Sequence, residues 1–244
     1  MTRLDAKTFL EAVAPALEAG DAEALSRTVR ERWAPSQLCG LLSHADADVR
    51  RTAVVVLGII GAGCEVGCLT RCLRDDDEQV HRFAEDALWS IWFRGGKPDA
   101  AARFRAGVLA MTDDNFRGAV KHFDAALALD PEFAEAFNQL AIAHYLQGEW
   151  EASLIACRQA LALMPTHFGA MAGLGHCYAH LGRLRAAIDC YRRALTINPR
   201  MEPIAHAKER LEARLGEEGE PPLADDDPTE TLLLRFESEP LYRD

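Results

Sequence analysis

Apolar residues along this chain recur on two periods, and both are periods of helix pairs. Leu38, Leu42, Val49, Ala53, Leu57 and Ile60 return 31 residues later as Leu69, Leu73, Val80, Ala84, Leu88 and Ile91, and Asp46 returns as Asp77. The last four of each set stand at i, i+4, i+8 and i+11, the stripe that one face of a helix buries. An Asp just ahead of that stripe is placed to cap the helix with its side-chain oxygen. From about residue 100 the step becomes 34. Pro131, Pro165 and Pro199 obey it, as do Ala126, Ala160 and Ala194, then Phe123, Cys157 and Tyr191, then Gly107, Ala141 and Gly175, then Ala106, Leu140 and Leu174. Gly148 and Gly182 mark the turn inside the second and third copies, where the first has Asp114. Residues 5–18 and 21–33 read as one more helix pair, so the chain reads as helix pairs throughout.

Each residue type in the 34-residue step has a steric reason. Gly107, Ala141 and Gly175 let two helices approach closely, and Phe123 and Tyr191 fill the space between helices. The proline ends the second helix because it cannot continue the hydrogen-bond ladder. The pattern resembles the tetratricopeptide repeat, a helix–turn–helix unit. Residues 168–201 carry it best, with Leu174, Gly175, Tyr178, Gly182, Ala187, Tyr191, Ala194 and Pro199. The second copy departs from it at His144, where the third has Tyr178, and at Cys157, where an aromatic is usual. The 31-residue copies, SHADADVRRTAVVVLGIIG and RDDDEQVHRFAEDALWSIW, resemble HEAT-like repeats.

These resemblances imply an all-α fold, a right-handed α-solenoid of helix–turn–helix repeats in two segments. Residues 1–95 are HEAT-like with an N-terminal cap. Residues 99–215 hold three tetratricopeptide units (100–133, 134–167 and 168–201) and a cap helix, and the Gly95-Gly96-Lys97-Pro98 cluster marks the boundary. Trp89, Trp92 and Phe93, just before it, read as packing for the junction, with an exposed ligand patch as the alternative.

Charge separates the end of the chain from the rest. Of the formal net charge of −11, residues 216–244 carry −8, from ten acidic residues against Arg235 and Arg243. Acidic, proline-containing and poor in aromatics around EEGEPPLADDDPTE, this tail has the composition of disorder. The nearly balanced remainder offers no electrostatic reason to bind nucleic acid or an anionic membrane. No apolar run approaches the length of a membrane span, and the N-terminus lacks the apolar core of a signal peptide. Seven cysteines, an odd number without a disulfide framework, read as reduced thiols of a cytoplasmic protein. The skew of 23 Arg to 4 Lys suggests a GC-rich, bacterial genome.

Candidate chemistry is sparse. Cys64, Cys68 and Cys72 share one helix face, but three thiols on a straight helix cannot surround one ion, and two of them flank Leu69 and Leu73. They read as small core residues. His176 and His180 stand one turn apart without the Glu of HExxH, and read as groove or surface histidines rather than metal ligands. None of the eight histidines is followed by Glu, as the His-Glu ligand pairs of HEAT-like hydroxylases would require, and GIIGAG lacks the strand that a dinucleotide fingerprint needs. We expect no metal, no cofactor and no catalytic residue.

What remains is surface. Stacked tetratricopeptide units make a concave groove lined by the first helix of each pair, and counting positions in each unit assigns its lining. The peptide-binding residues expected are Phe104, Arg105, Val108, Met111, Asn138, Gln139, Ile142, Tyr145, Ala172, His176 and His180. Asn138 and Gln139 would bond the main chain of an extended peptide, and Phe104, Ile142 and Tyr145 would give apolar pockets. Family members that hold the acidic C-termini of chaperones use a clamp of Lys, Asn and Arg. The matching positions here, Phe104, Val108, Gln139, Gly169 and Gly173, hold no cation, so no such role is expected. The expected function is a non-catalytic scaffold or adaptor for a protein or peptide partner. The alternatives are a lyase-like HEAT protein acting on a cofactor-bearing partner, and a purely structural module. The apolar end of the tail, with Leu232, Leu233, Leu234 and Phe236, reads three ways: a ligand for the groove of its own chain, a motif for another protein, or inert.

Overall fold

The computed structural model describes residues 4–218, which form thirteen α-helices and two short 3-10 turns, with no strand among the described residues. The chain divides into two units, Met1–Gly95 and Gly96–Asp244.

The first unit holds α1 (Ala6–Glu18), α2 (Ala22–Arg32), the single turn α3 (Pro35–Leu38), α4 (Ala47–Ile60), α5 (Val66–Cys72) and α6 (Glu78–Arg94). All four long helices start on an Asp cap. Asp5, Asp21, Asp46 and Asp77 accept from backbone amides of Thr8, Ala24, Asp48 and, for Asp77, both Gln79 and Val80. All twelve apolar positions of the 31-residue step are buried. The two copies are tied at their loops. Arg50 on α4 makes a bidentate pair with Asp75 at 2.9 and 2.7 Å, and the neighbouring Arg51 grips Asp77 in the same way. That hydrogen bond from Arg51, with the Val80 amide, holds the Asp77 carboxyl well below the usual carboxylate range. Trp89, Trp92 and Phe93 form an edge-to-face cluster at the end of α6.

One expectation is overturned here. Cys39 and Cys68 are joined by a disulfide, so not all thiols are reduced. It links the turn after α3 to α5, the first helices of the two 31-residue copies. Their separation of 29 falls outside the 31-residue step, so periodicity gave no sign of it. Of the other two cysteines on that helix face, Cys72 is buried and Cys64 is exposed.

The second unit runs α7 (Pro98–Thr112), α8 (Phe116–Leu129), α9 (Ala134–Leu146), α10 (Trp150–Leu163), α11 (Phe168–His180), α12 (Leu184–Ile197) and α13 (Glu202–Glu218). Within each pair the turn requires the left-handed region, at Asp114 (φ 55°), Gly148 (φ 76°) and Gly182 (φ 74°). The small–large pairing sets how closely the helices pack. A Cβ on Gly107 would lie 2.5 Å from the Phe123 ring, and one on Gly175 2.5 Å from the Tyr191 ring. In the second pair Ala141 takes the glycine's place and Cys157 the aromatic's. α13 packs on α12 as α11 packs on α10, so it occupies the place of a first helix. It continues through Gly216 to Glu218, past the end expected at 215. Residues 219–244 lie outside the described residues, and the expectations for the acidic tail lie there too.

Candidate partner-binding face

The first helices α7, α9 and α11 present a common face, joined by side chains that reach from one to the next. Tyr145 on α9 meets His176 and His180 on α11, with ring centroids 6.1 and 5.2 Å apart. Trp150, at the start of α10, stacks on His180 at 4.1 Å and 11° and meets Tyr145 edge-on at 5.0 Å. The Tyr191 hydroxyl lies 2.7 Å from His176 Nδ1. Burial raises the Tyr191 phenol, so its O–H is the donor in that bond. Burial, and next the nearby His180, lower the pKa of His176.

Ahead of this cluster the face is apolar. Ile142 and Leu146 on α9 are 37% and 49% exposed, and Val108 and Met111 on α7 are half-buried. Gln139, Tyr145 and His176 are also half-buried, while Arg105 and His180 are exposed.

Three of the expected lining residues are inside instead. Phe104 is buried against Phe123 and Phe133, with centroids 5.7 and 4.7 Å away, because glycine at 107 lets the aromatic rings close over that gap. Ala172 belongs to the core cluster of the unit. Asn138 is buried and donates to Glu135, and Gln139 donates to the same carboxylate at 2.7 Å. The two amides expected to hold a peptide main chain are therefore engaged within the protein. What draws them in is a buried pair: Glu135 Oε2 lies 2.8 Å from His167 Nε2, both side chains fully buried. His167 Nδ1 accepts from the Ala170 amide at the start of α11, which leaves the ring proton on Nε2, donated to Glu135.

Sequence counting passed over Trp150, because it lies on a second helix, outside the positions counted. The signal that finds it is its place in the first turn after Gly148, level with the end of α9.

The depressed pKa of His176 has a testable sign. A histidine whose folded pKa is lowered contributes stability that is present above its unfolded value, about 6.5, and is lost as pH falls below it. The wild-type chain should lose melting temperature between about pH 6.5 and 5, and His176→Gln should flatten that loss. An unchanged slope would remove His176 as its source.

Comparison with known proteins agrees with this architecture. Two tetratricopeptide repeat models match, one over residues 104–168 and the other over residues 170–201. A TPR repeat-containing protein of Rhizobium etli is 30% identical over 81 residues, 33% of this chain and 40% of the relative. The anaphase-promoting complex subunit 3 of Schizosaccharomyces pombe is 35% identical over 81 residues, 33% of this chain and 12% of its own. The chain thus spans well under half the length of these relatives. Among solved structures, the Sgt2 TPR domain from Aspergillus fumigatus is similar at a TM-score of 0.49 and 18% identity, over 55% of this chain and 91% of that domain. By residue pattern, helix pairing and family model alike, the stretch from 104 to 201 consists of tetratricopeptide repeats.

Proposed function

We propose that the chain is a non-catalytic adaptor that holds an extended segment of a partner protein against the face of α7, α9 and α11. One observation carries this reading: Val108, Met111, Ile142, Tyr145 and Leu146 keep apolar surface on successive first helices, above a core that is otherwise closed. The polar groups of these helices serve the fold, since Glu135, Asn138 and His167 satisfy one another and His176 is bonded to Tyr191. Specificity therefore comes from apolar side chains entering between Ile142, Tyr145 and Leu146, and from the stacked Trp150 and His180. The first unit is read as HEAT-like, supported by its buried 31-residue stripe and its repeated Asp caps, and as a second surface of the same adaptor. A cytoplasmic setting belongs to the same reading.

Panning a random peptide library against the whole chain tests the face. Peptides enriched on the wild type should bind Ile142→Glu at least tenfold more weakly, with an unchanged melting temperature, because position 142 is exposed. Equal binding by the variant would place the binding surface elsewhere.

A further inference from the structure

The face of the first helices changes character along its length. At one position of each, 34 residues apart, stand Val108 on α7, Ile142 on α9, His176 on α11 and Arg210 on α13. Four residues on, the row Leu146, His180 and Arg214 repeats the change. The face is apolar at α7 and α9, and imidazole and guanidinium at α11 and α13. Arg210 is exposed and acts electrostatically on the Tyr191 phenol, which is bonded to His176, so the cation stands beside the aromatic cluster. Glu135, the carboxylate on α9, is turned inward and does not oppose this charge.

The chain leaves the fold at the matching place. Because α13 occupies a first-helix position, it runs in the same direction as α9 and α11, and Glu218 lies at the end of the face that carries Leu146 and His180. The sequence that follows is ordered in the same sense as the face: acidic at Asp225, Asp226 and Asp227, then apolar at Leu232, Leu233, Leu234 and Phe236.

We propose that residues 225–236 occupy this face of their own chain, the acidic run against His180, Arg210 and Arg214 and the apolar run against Ile142, Tyr145 and Leu146. The proposal rests on the reading of the face as a peptide-binding surface and names its resident occupant, which a partner must displace. Lengths agree. Neighbouring packed helices lie about 10 Å apart, so α13 and α9 are separated by roughly 20 Å. Seven extended residues, the interval from Asp226 to Leu233, cover about 23 Å. A further seven from Glu218 to Asp225 bring the acidic run back to α13 with length to spare. Charge agrees as well, since residues 216–244 carry ten acidic side chains against two Arg. A tether this short gives an effective concentration of order millimolar, so an intrinsic dissociation constant of about 100 µM fills the face roughly ten to one.

Amide hydrogen exchange on the full chain tests this, comparing the wild type with a chain carrying Leu233→Asp, Leu234→Asp and Phe236→Asp. Exchange over 138–146 and 172–180 should quicken by about fivefold to tenfold, while α4 and α6 stay unchanged. Equal exchange in the two chains overturns the proposal. Protection that fades on tenfold dilution of the wild type also overturns it, because the occupant would then be the tail of a second copy. A synthetic peptide of residues 222–242 should bind the substituted chain and lose that binding with Ile142→Glu. If library peptides bind at Ile142 while this peptide does not and exchange is unaltered, self-docking fails and the adaptor reading stands. If neither binds, both fail.

Discussion

Replacing Gly175 with Leu is expected to destabilise the second unit by about 1–3 kcal/mol, the usual cost of overpacking a closed core. The argument is geometric. A bare Cβ at 175 already meets the Tyr191 ring at 2.5 and 2.6 Å, and the Ala187 carbonyl stands 3.3 Å away on the other side. Tyr191 has little freedom to retreat, since it is buried and its hydroxyl is bonded to His176. The extra atoms of Leu can be accommodated only by separating α11 from α12. Gly175→Ala should show the same effect on a smaller scale. Gly216→Ala is the control, because nothing lies within 4 Å of a Cβ there, and replacing a helical glycine by alanine stabilises by about 0.5–1 kcal/mol. Urea or thermal unfolding monitored by circular dichroism orders the variants. An unfolding curve for Gly175→Leu that matches the wild type would contradict the close approach of α11 and α12.

The same pairing explains why the fold was readable from sequence. In a solenoid each unit touches only its neighbours, so a packing requirement reappears in the sequence at the repeat step. Gly107 with Phe123 and Gly175 with Tyr191 are two printings of one contact, and Ala141 with Cys157 is the same contact with both sizes moved together. Capping is equally local, and Asp46 and Asp77 announce α4 and α6 without help from the rest of the chain. The site was less legible because it depends on side chains that break the repeat. Counting helix positions places Asn138 on the groove, yet Glu135 beneath it draws the amide inward, and only the neighbouring His167 explains why Glu135 is buried. Phe104 closes inward because position 107 is glycine, a consequence of the adjacent turn that position counting ignores. Trp150 and the Cys39–Cys68 bond join residues that share no register, so no period marks them.

The buried Glu135–His167 pair gives the second large prediction, a double substitution that should be milder than either of its halves. In the first unit the equivalent positions, 34 residues earlier, hold Ala101 and Phe133. Phe133 is buried there against Phe104 and closes over Gly96. Each unit thus joins its ends with a matched pair, apolar in the first and hydrogen-bonded in the second. His167→Phe alone strands the Glu135 carboxylate in a fully buried site with only the Asn138 and Gln139 amides to face it. It also removes the acceptor for the Ala170 amide. Breaking a buried pair from one side costs about 3–5 kcal/mol, and the two remaining amides put this case at the lower end. Glu135→Ala alone leaves the His167 Nε2–H and the Asn138 amide without an acceptor, at about 1–3 kcal/mol for a buried donor. The double variant carries the residues of the first unit and strands no charge. Replacing both partners of a buried bond by apolar groups is close to neutral, so it should lose less stability than His167→Phe by itself. A double-mutant cycle in urea should therefore return a coupling of about 2 kcal/mol or more. Additive losses would mean that the two side chains do not depend on each other, and that the burial of Asn138 has another cause.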